Sequence, residues 1–314
     1  MRWTVEKLLE SVSLPVIAAP MLLVSGAQLV IESCKAGVIG AYPMANSRTV
    51  EDCAAQMETI HTSVEQARRD DPSRIVAPYA INIVVFSEGN DRFESNLALL
   101  ERYRVPLVIS SIGDPARVVE RVHAYGGLVF HDVASLRHAQ KAIQSGVDGL
   151  ILLTAGAGGH TGSLNPFAFV EQIRRIWNGA LILAGGMGNG RSVRAAQVMG
   201  ADFAYMGTRF IATRESLATA HYKELLVAQQ AADVIVTDCI SGFNATFMRG
   251  SIITAGLDPD NLPPRKALFQ PDLPEGIKAW RDVWSAGHGV GAIDDVPSVR
   301  ELVTRLESEY HQAR

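Results

Sequence analysis

The sequence contains little cysteine: only Cys34, Cys53 and Cys239 occur among 314 residues, and no two of them form a Cys-x-x-Cys pair. An odd number of widely spaced cysteines argues against a disulfide framework and against a zinc site. The N-terminal residues lack the apolar segment of a signal peptide, and no uncharged apolar run is long enough to span a membrane. These absences predict a cytoplasmic protein without disulfides.

Strong charge of either sign is also absent. The formal net charge is −4, charged residues make up 20% of the chain, and no basic run exceeds two residues. Nucleic acid and anionic membrane surfaces are therefore not expected as partners, because both are bound by clustered Lys and Arg. The hydrophobic content of 47% is typical of a globular protein.

Short apolar runs that alternate with longer helical segments dominate the chain up to about residue 230. The runs are rich in Val, Ile, Leu and Ala, as expected of parallel strands covered on both faces. Eight such strands with helices between them predict a (β/α)8 TIM barrel. A doubly wound open sheet is the alternative, because the second run is short enough to be a loop. The predicted strands are residues 14–19, 37–40, 77–84, 106–110, 127–131, 148–152, 180–184 and 202–205.

Beyond residue 230 the alternation is lost, and Pro, Asp and Gly accumulate. We therefore predict a barrel over residues 1–230 and an appended helical or irregular subdomain over residues 231–314. A final helix from Pro297 to about Tyr310 is expected to pack on the outside.

His160 lies in the first of three glycine-rich segments, residues 149–167, directly after an apolar run. In a barrel this loop belongs to the C-terminal face, where active sites are found. A neutral imidazole there can accept a proton or donate to a developing anion, which makes His160 the catalytic candidate. The alternative is that His160 is a structural hydrogen-bonding residue or contacts only a phosphate.

The other two glycine-rich segments, residues 181–202 and 203–216, place Gly185-Gly186 and Gly207-Thr208 between a strand and a helix. Backbone N–H groups in such loops and at the helix starts behind them bind anions. Paired phosphate-binding loops after the last two strands recur in barrels, so a phosphorylated ligand is predicted. The alternative is that both loops are merely tight turns.

Several other chemistries lack the residues that they need. The spacing of Gly156, Gly158 and Gly162 does not fit a dinucleotide-binding fingerprint, and no GxxxxGK[ST] phosphate loop occurs. None of the six lysines follows a predicted strand, which argues against Schiff-base chemistry, and no cysteine lies in a glycine-rich loop. A bound redox cofactor is therefore expected to supply the reactivity.

At these residues the sequence resembles the nitronate monooxygenase family, formerly called 2-nitropropane dioxygenases, which are FMN-binding barrels. The resemblance covers most of the chain. It rests on PVIAAPM at 15–21, Asn82 in YAINIV, His131-Asp132, AGGHTG at 157–162, AGGMGNGR at 184–191, MGTRFIAT at 206–213 and WSAGHGVGAI at 284–293.

The resemblance implies a flavoprotein oxidoreductase in which His160 is the catalytic base. It implies that Met21, His160 and His288 contact substrate. The cofactor-binding residues that it implies are Pro20, Met21 and Asn82 at the flavin ring, Gly185, Gly186, Gly207 and Thr208 at the phosphate, Gly287 and Gly289 over the ring, and His131 and Gly159.

Two positions depart from the family pattern. Many members carry Lys where this chain has Asp132, so a cationic contact to the flavin is expected to be missing. The C-terminal motif often reads AGQG, whereas His288 replaces the glutamine here. That histidine is either an exposed polar substitution or a residue that alters substrate contacts.

The reaction implied is oxidation of an alkyl nitronate, or of a nitroalkane after removal of its α-proton, with O2 as co-substrate and a carbonyl compound and nitrite as products. An FMN-dependent NAD(P)H:quinone or enoyl-thioester reductase is the main alternative, because fold does not fix the substrate. A flavin-free phosphate-ligand barrel is a second. The expected partners are a small-molecule substrate and O2, with no metal, and a homodimer is left open.

Overall fold

The computed structural model describes residues 2–85, 91–265 and 273–313, and within them the predicted eight-stranded barrel is confirmed. The pairing of Ile17 with Tyr205 joins the first and last barrel strands, so the sheet closes and the open-sheet alternative is wrong. In chain order the first nine strands are β1 (Val16–Ala18), β2 (Ile39–Pro43), β3 (Ala80–Val84), β4 (Leu107–Ser111), β5 (Leu128–Val133), β6 (Gly149–Leu153), β7 (Gly159–His160), β8 (Ala180–Ala184) and β9 (Phe203–Met206).

The barrel has the order β1-β2-β3-β4-β5-β6-β8-β9, and β7 lies outside it. The short second run is a full strand, but it begins two residues later than predicted. Gly37 has φ of +92°, which places it in the turn before the strand and not within it.

Helices between the strands cover the outside of the barrel. Thr49 and Asn165 cap the helices that follow them, accepting hydrogen bonds from Asp52 N and Phe167 N. No helix in the described ranges combines the length and apolarity needed to cross a bilayer. The helices are α1 (Val5–Glu10), α2 (Ala27–Lys35), α3 (Val50–Asp70), α4 (Asp91–Arg102), α5 (Ala116–Tyr125), α6 (Leu136–Gln144), α7 (Pro166–Arg174), α8 (Gly190–Val198), α9 (Thr208–Ile211), α10 (Ala220–Ala228), α11 (Arg249–Thr254) and α12 (Val299–Gln312).

Side chains alternate along each barrel strand between two cores. Ile17, Ile109 and Phe203 fill the interior, whereas their chain neighbours pack against the helices. Leu8 of α1 belongs to the interior core, so this first helix closes the N-terminal end of the barrel. The opposite end of the barrel, at the C-terminal ends of the strands, is formed by the loops that follow them.

The appended segment is more ordered than the sequence indicates. It contains a hairpin of β10 (Val234–Thr237) and β11 (Ala245–Met248), and β11 pairs with β7 in an antiparallel sheet. Both strands are only four residues long and are flanked by polar turn residues, so the sequence pattern gives them no signal. Part of the predicted subdomain, residues 266–272, lies outside the described residues. The final helix, α12, packs against α8 and α2 as predicted.

Candidate active site

A cavity of about 270 Å³ lies at the C-terminal ends of the barrel strands. Its walls come from the segments that follow β1, β2, β4, β6, β8 and β9, and from the appended segment. The volume is close to the lower end of the roughly 300–1,000 Å³ found for small-molecule sites. Its position is the one that active sites occupy in TIM barrels.

The structure brings most of the predicted site residues together around this cavity. They come from distant parts of the chain, which supports the view that the glycine-rich loops and the C-terminal motif form one site. The predicted residues that line it are Pro20, Met21, Asn82, Gly159, His160, Gly185, Gly186, Gly207, Thr208, Gly287 and Gly289.

His131 does not line the cavity, so its assignment as a cofactor contact is corrected. Along β5, Phe130 faces the barrel interior and Val129 faces the helices, and the alternation puts His131 on the helix side. There its Nδ1 lies 2.8 Å from Ser110 Oγ, and burial lowers its pKa to about 4. The neighbouring residue, Asp132, takes the cavity-lining position.

His288 is also displaced from the predicted substrate site. Its side chain is exposed and packs against Gly156, and its amide N–H donates to Gly156 O at 2.9 Å. The flanking residues Gly287 and Gly289 line the cavity, whereas His288 points to the outer side of the same turn. The geometry therefore favours the interpretation of His288 as an exposed polar substitution.

His160 lies in an aromatic enclosure at the cavity wall. Its ring centroid is 5.5 Å from that of Phe243 and 5.5 Å from that of Trp280, both in edge-to-face geometry. No described residue forms a hydrogen bond with either ring nitrogen, so both are free for a ligand. Burial lowers the pKa of His160 below its usual value of 6.5, which keeps the imidazole neutral near pH 7.

Hydroxyl groups of three side chains hold the His160 loop and the segment that returns over it. Ser285 Oγ accepts a hydrogen bond from Gly159 N at 2.8 Å, and Thr246 Oγ1 donates to Ala157 O at 3.0 Å. Thr208 Oγ1 accepts from Gly287 N at 2.8 Å. Thr208 was predicted as a phosphate-binding residue and Ser285 lies in the C-terminal glycine motif, whereas Thr246 had no sequence signal. The appended segment thus fixes the orientation of the loop that carries His160.

Close backbone packing explains the glycine in the returning segment. A Cβ at Gly287 would lie 2.5 Å from Gly156 O and 2.7 Å from Gly158 N. Only glycine allows the two loops to approach so closely. The contact joins the appended segment directly to the loop that carries His160.

The floor of the cavity carries polar groups from the strand ends. Asn82 Nδ2 donates to Ile109 O at 3.1 Å and to Ser111 Oγ at 3.3 Å, which fixes the orientation of its amide. Asp132 and Tyr205 face the cavity from β5 and β9. Burial raises the pKa of Asp132 to about 7.

The glycine loops after β8 and β9 present backbone N–H groups to the cavity. Gly186 N donates to Gly156 O at 3.2 Å, but the amides of Gly185, Gly207 and Thr208 form no hydrogen bond within the described residues. No Lys or Arg is among the described residues that line the cavity. An anion there would have to be held by these amides and by the Thr208 hydroxyl.

The start of α8, predicted as part of the anion site, is filled by the protein itself. Asn189 and Ser192 form a capping box, and Gly190 N donates to Glu309 Oε2 of α12 at 2.7 Å. The carboxylate of the final helix therefore occupies the position that a ligand anion would take. The part of this segment that lines the cavity is residues 184–187, which precede the helix.

Comparisons with known proteins agree with this geometry. A family model described as nitronate monooxygenase matches residues 5–309. The nitronate monooxygenase of Pseudomonas aeruginosa is 26% identical over 93% of this chain and 95% of that protein. A carboxyl-CoA dehydrogenase of Rhodococcus jostii is 24% identical over 94% of this chain and 92% of that protein. The matched stretch is shorter in some relatives, where it spans 59% to 64% of their length.

A solved structure supports the fold over the whole chain. Nitroalkane oxidase from Streptomyces ansochromogenes superposes with a TM-score of 0.80 at 20% sequence identity, covering 98% of each chain. At this identity the likeness concerns the fold, whereas the family model concerns the sequence itself. The chain belongs to the nitronate monooxygenase family and is an oxidoreductase.

Proposed function

We propose that this protein is an FMN-dependent nitronate monooxygenase that oxidises alkyl nitronates with O2 to carbonyl compounds and nitrite. The observation that carries the proposal is the neutral, ligand-accessible imidazole of His160 beside a cavity rimmed by glycine loops. The described lining contains no Lys, Arg or Cys, so the residues alone offer a proton acceptor but no electron acceptor.

The residues present fit FMN. An added Cβ at Gly186 would meet no atom within 4 Å, so this glycine leaves open space beside the unbonded amides of Gly185, Gly207 and Thr208. Those groups would hold the phosphate, while Pro20 and Met21 offer an apolar wall for the ring. Bound FMN would supply the two-electron oxidation of the nitronate and the transfer of electrons to O2.

The chain's own contribution is proton handling and exclusion of water. For a neutral nitroalkane, His160 would take the α-proton, which its lowered pKa leaves it free to accept near pH 7. A nitronate arrives without that proton and would need only positioning. The rings of Phe243 and Trp280 shield the imidazole from solvent and orient it.

The reaction is tested by adding FMN to the purified protein and following ethylnitronate under air. Consumption of O2 with formation of acetaldehyde and nitrite is expected. Rapid anaerobic bleaching of the flavin by NADH, with none by ethylnitronate or propionate 3-nitronate, would overturn the proposal. A protein that stays colourless and does not take up FMN would favour a flavin-free barrel.

A thioester oxidoreductase is the second candidate, and the observation that favours it is the Rhodococcus relative. That protein is named as a dehydrogenase of a carboxyl-CoA, and it matches this chain over nearly its whole length. Turnover of a CoA thioester with reduction of the flavin, without turnover of nitronates, would select this alternative.

The pH profile should reveal the lowered pKa of His160. With saturating FMN, the acid limb of kcat/KM for a neutral nitroalkane is expected to be centred below pH 6.5, because burial lowers the pKa of this base from its usual value. Initial rates from freshly dissolved nitroethane measure the profile before the substrate ionises. An acid limb centred above pH 6.5 would contradict a buried neutral base.

Replacing Gly185 with alanine should weaken FMN binding at least tenfold and destabilise the fold by about 2 kcal/mol. Gly185 has φ of +135°, and an added Cβ would overlap the Thr154 hydroxyl that donates to Ala184 O. Chemical denaturation and FMN titration measure the two effects.

Gly146→Ala is the matched control for this variant. Gly146 also has a positive φ, of +80°, but an added Cβ there would lie 3.7 Å from its nearest neighbour, and the residue does not line the cavity. This variant should keep wild-type FMN affinity. Equal losses of affinity in both variants would show that general destabilisation, and not the shape of the loop, is responsible.

A further inference from the structure

Asp132 is a partly buried acid at the cavity wall that the described residues leave without a partner. The residue lines the cavity from β5; its Oδ1 is buried without a partner, whereas its Oδ2 keeps access to open space and is the oxygen that a ligand in the cavity can reach. The carboxyl forms no hydrogen bond or ion pair with any described residue. Unpaired buried polar atoms are rare in native proteins and call for a ligand, water or ion.

The surroundings of Asp132 do not favour its ionised form. The other titratable groups in the described lining are Tyr205, His160 and Tyr222, and no lysine or arginine joins them. Tyr205 from β9 is the group whose charge couples to Asp132, and both burial and Asp132 raise the pKa of that phenol well above 10. His131 is adjacent in sequence but faces the helices. Burial raises the pKa of Asp132 to about 7, so the acid is largely neutral below that pH.

A neutral carboxylic acid has one O–H donor, and here that donor has no acceptor in the described protein. A ligand that fills the cavity can supply this acceptor. A phosphate is unsuitable, since the unbonded amides are in the loops after β8 and β9, two and three strands away from β5 in the barrel.

We propose that Asp132 is a binding residue that donates a hydrogen bond, as the neutral acid, to a carbonyl oxygen or unprotonated nitrogen of the flavin ring. This inference rests on the proposed use of FMN. When Asp132 ionises, the donor is replaced by a negative charge that faces an electron-rich acceptor. FMN affinity should therefore fall as the pH rises through about 7.

The test is a titration of the apoprotein with FMN, followed by quenching of flavin fluorescence from pH 5.5 to pH 8.5. Wild type is compared with Asp132→Asn, which keeps a donor but cannot ionise, and with Asp132→Leu, which has no donor. The phosphate of FMN also titrates in this range, but it affects all variants alike and cancels in the ratio of Kd values.

Between pH 6 and pH 8, Kd for the wild type should rise about tenfold relative to Asp132→Asn, as expected for one group that titrates near pH 7. Asp132→Leu should bind more weakly than Asp132→Asn at every pH. Tyr205→Phe should keep the wild-type pH dependence, which identifies Asp132 as the group that titrates.

Parallel profiles for wild type and Asp132→Asn would overturn the inference. An infrared difference spectrum gives a second readout, because the C=O band of a protonated carboxyl should shift when FMN is added and be absent in Asp132→Asn. An unchanged band would also overturn it. If folded wild type and Asp132→Asn bind no FMN at any pH, the proposed function fails together with this inference. If both bind FMN with normal affinity but show parallel profiles, only this inference fails.

Discussion

Replacing His160 with asparagine should lower kcat/KM for a neutral nitroalkane about 10²–10⁴-fold, the usual contribution of a general base. FMN should stay bound, because all the residues expected to hold it except Gly159 lie in other loops. Ethylnitronate should be affected much less, since its α-proton is already gone. Steady-state O2 consumption with nitroethane and with ethylnitronate measures the difference, and the flavin absorbance measures cofactor content.

His288→Asn is the matched control for this substitution. His288 is a histidine of a neighbouring loop, but its side chain is exposed and lies outside the cavity. It should leave both rates near wild type. If His160→Asn lowered kcat/KM equally for both substrates, the imidazole would orient substrate or cofactor and would not remove a proton.

Asp132→Asn should remove a pH-dependent loss of stability. Between pH 4 and pH 8, the free energy of unfolding of the wild-type apoprotein should fall by about 4 kcal/mol more than that of the variant. The folded-state pKa is about 7, against an ordinary value of 3.8. The difference of 3.2 units corresponds to about 4 kcal/mol at about 1.4 kcal/mol per unit. The folded state holds this proton more tightly, so the wild type loses stability as the pH rises from about 4 to 7. The asparagine variant should lack that loss.

Urea denaturation at several pH values measures this effect, and Asp260→Asn gives a contrast. Asp260 is exposed, and the hydrogen bond from Arg249 lowers its pKa, so its ionised form is the stabilising one. Its replacement should produce a small effect of opposite sign. If the stability of wild type and of Asp132→Asn fell equally as the pH rises, the pKa of Asp132 would have to be the same in the folded and unfolded states. That result would contradict the prediction.

The barrel was predictable because its signal is local. Each parallel strand is buried on both faces, so it appears as an unbroken apolar run, and Ala180–Ala184 was predicted to the residue. The glycine loops were found for the same reason, since a strand followed by glycines is a pattern within a few residues. Barrel closure then brings those loops to one end of the molecule.

The face on which a residue lies was harder to predict than its position in the chain. His131 and Asp132 are adjacent, and a shift of one residue along a strand exchanges the helix side for the cavity side. The family resemblance drew attention to both, but only the register of β5 assigns the cavity to Asp132. Similarly, the turn at 287–289 directs two glycines inward and His288 outward.

By itself, the sequence determined the eight barrel strands, the outer final helix and the glycine-rich loops that meet at the cavity. The tertiary structure alone decided that β11 pairs with the His160 strand, that Glu309 fills the start of α8, and that no described residue bonds to the carboxyl of Asp132. The physical reason is the range of the interactions. Periodicity and turn chemistry act between residues close in sequence. The pairing of β11 with β7 and the contact of Glu309 with α8 join residues that are 85 or more positions apart. Whether Asp132 has a partner depends on all the elements that pack around it.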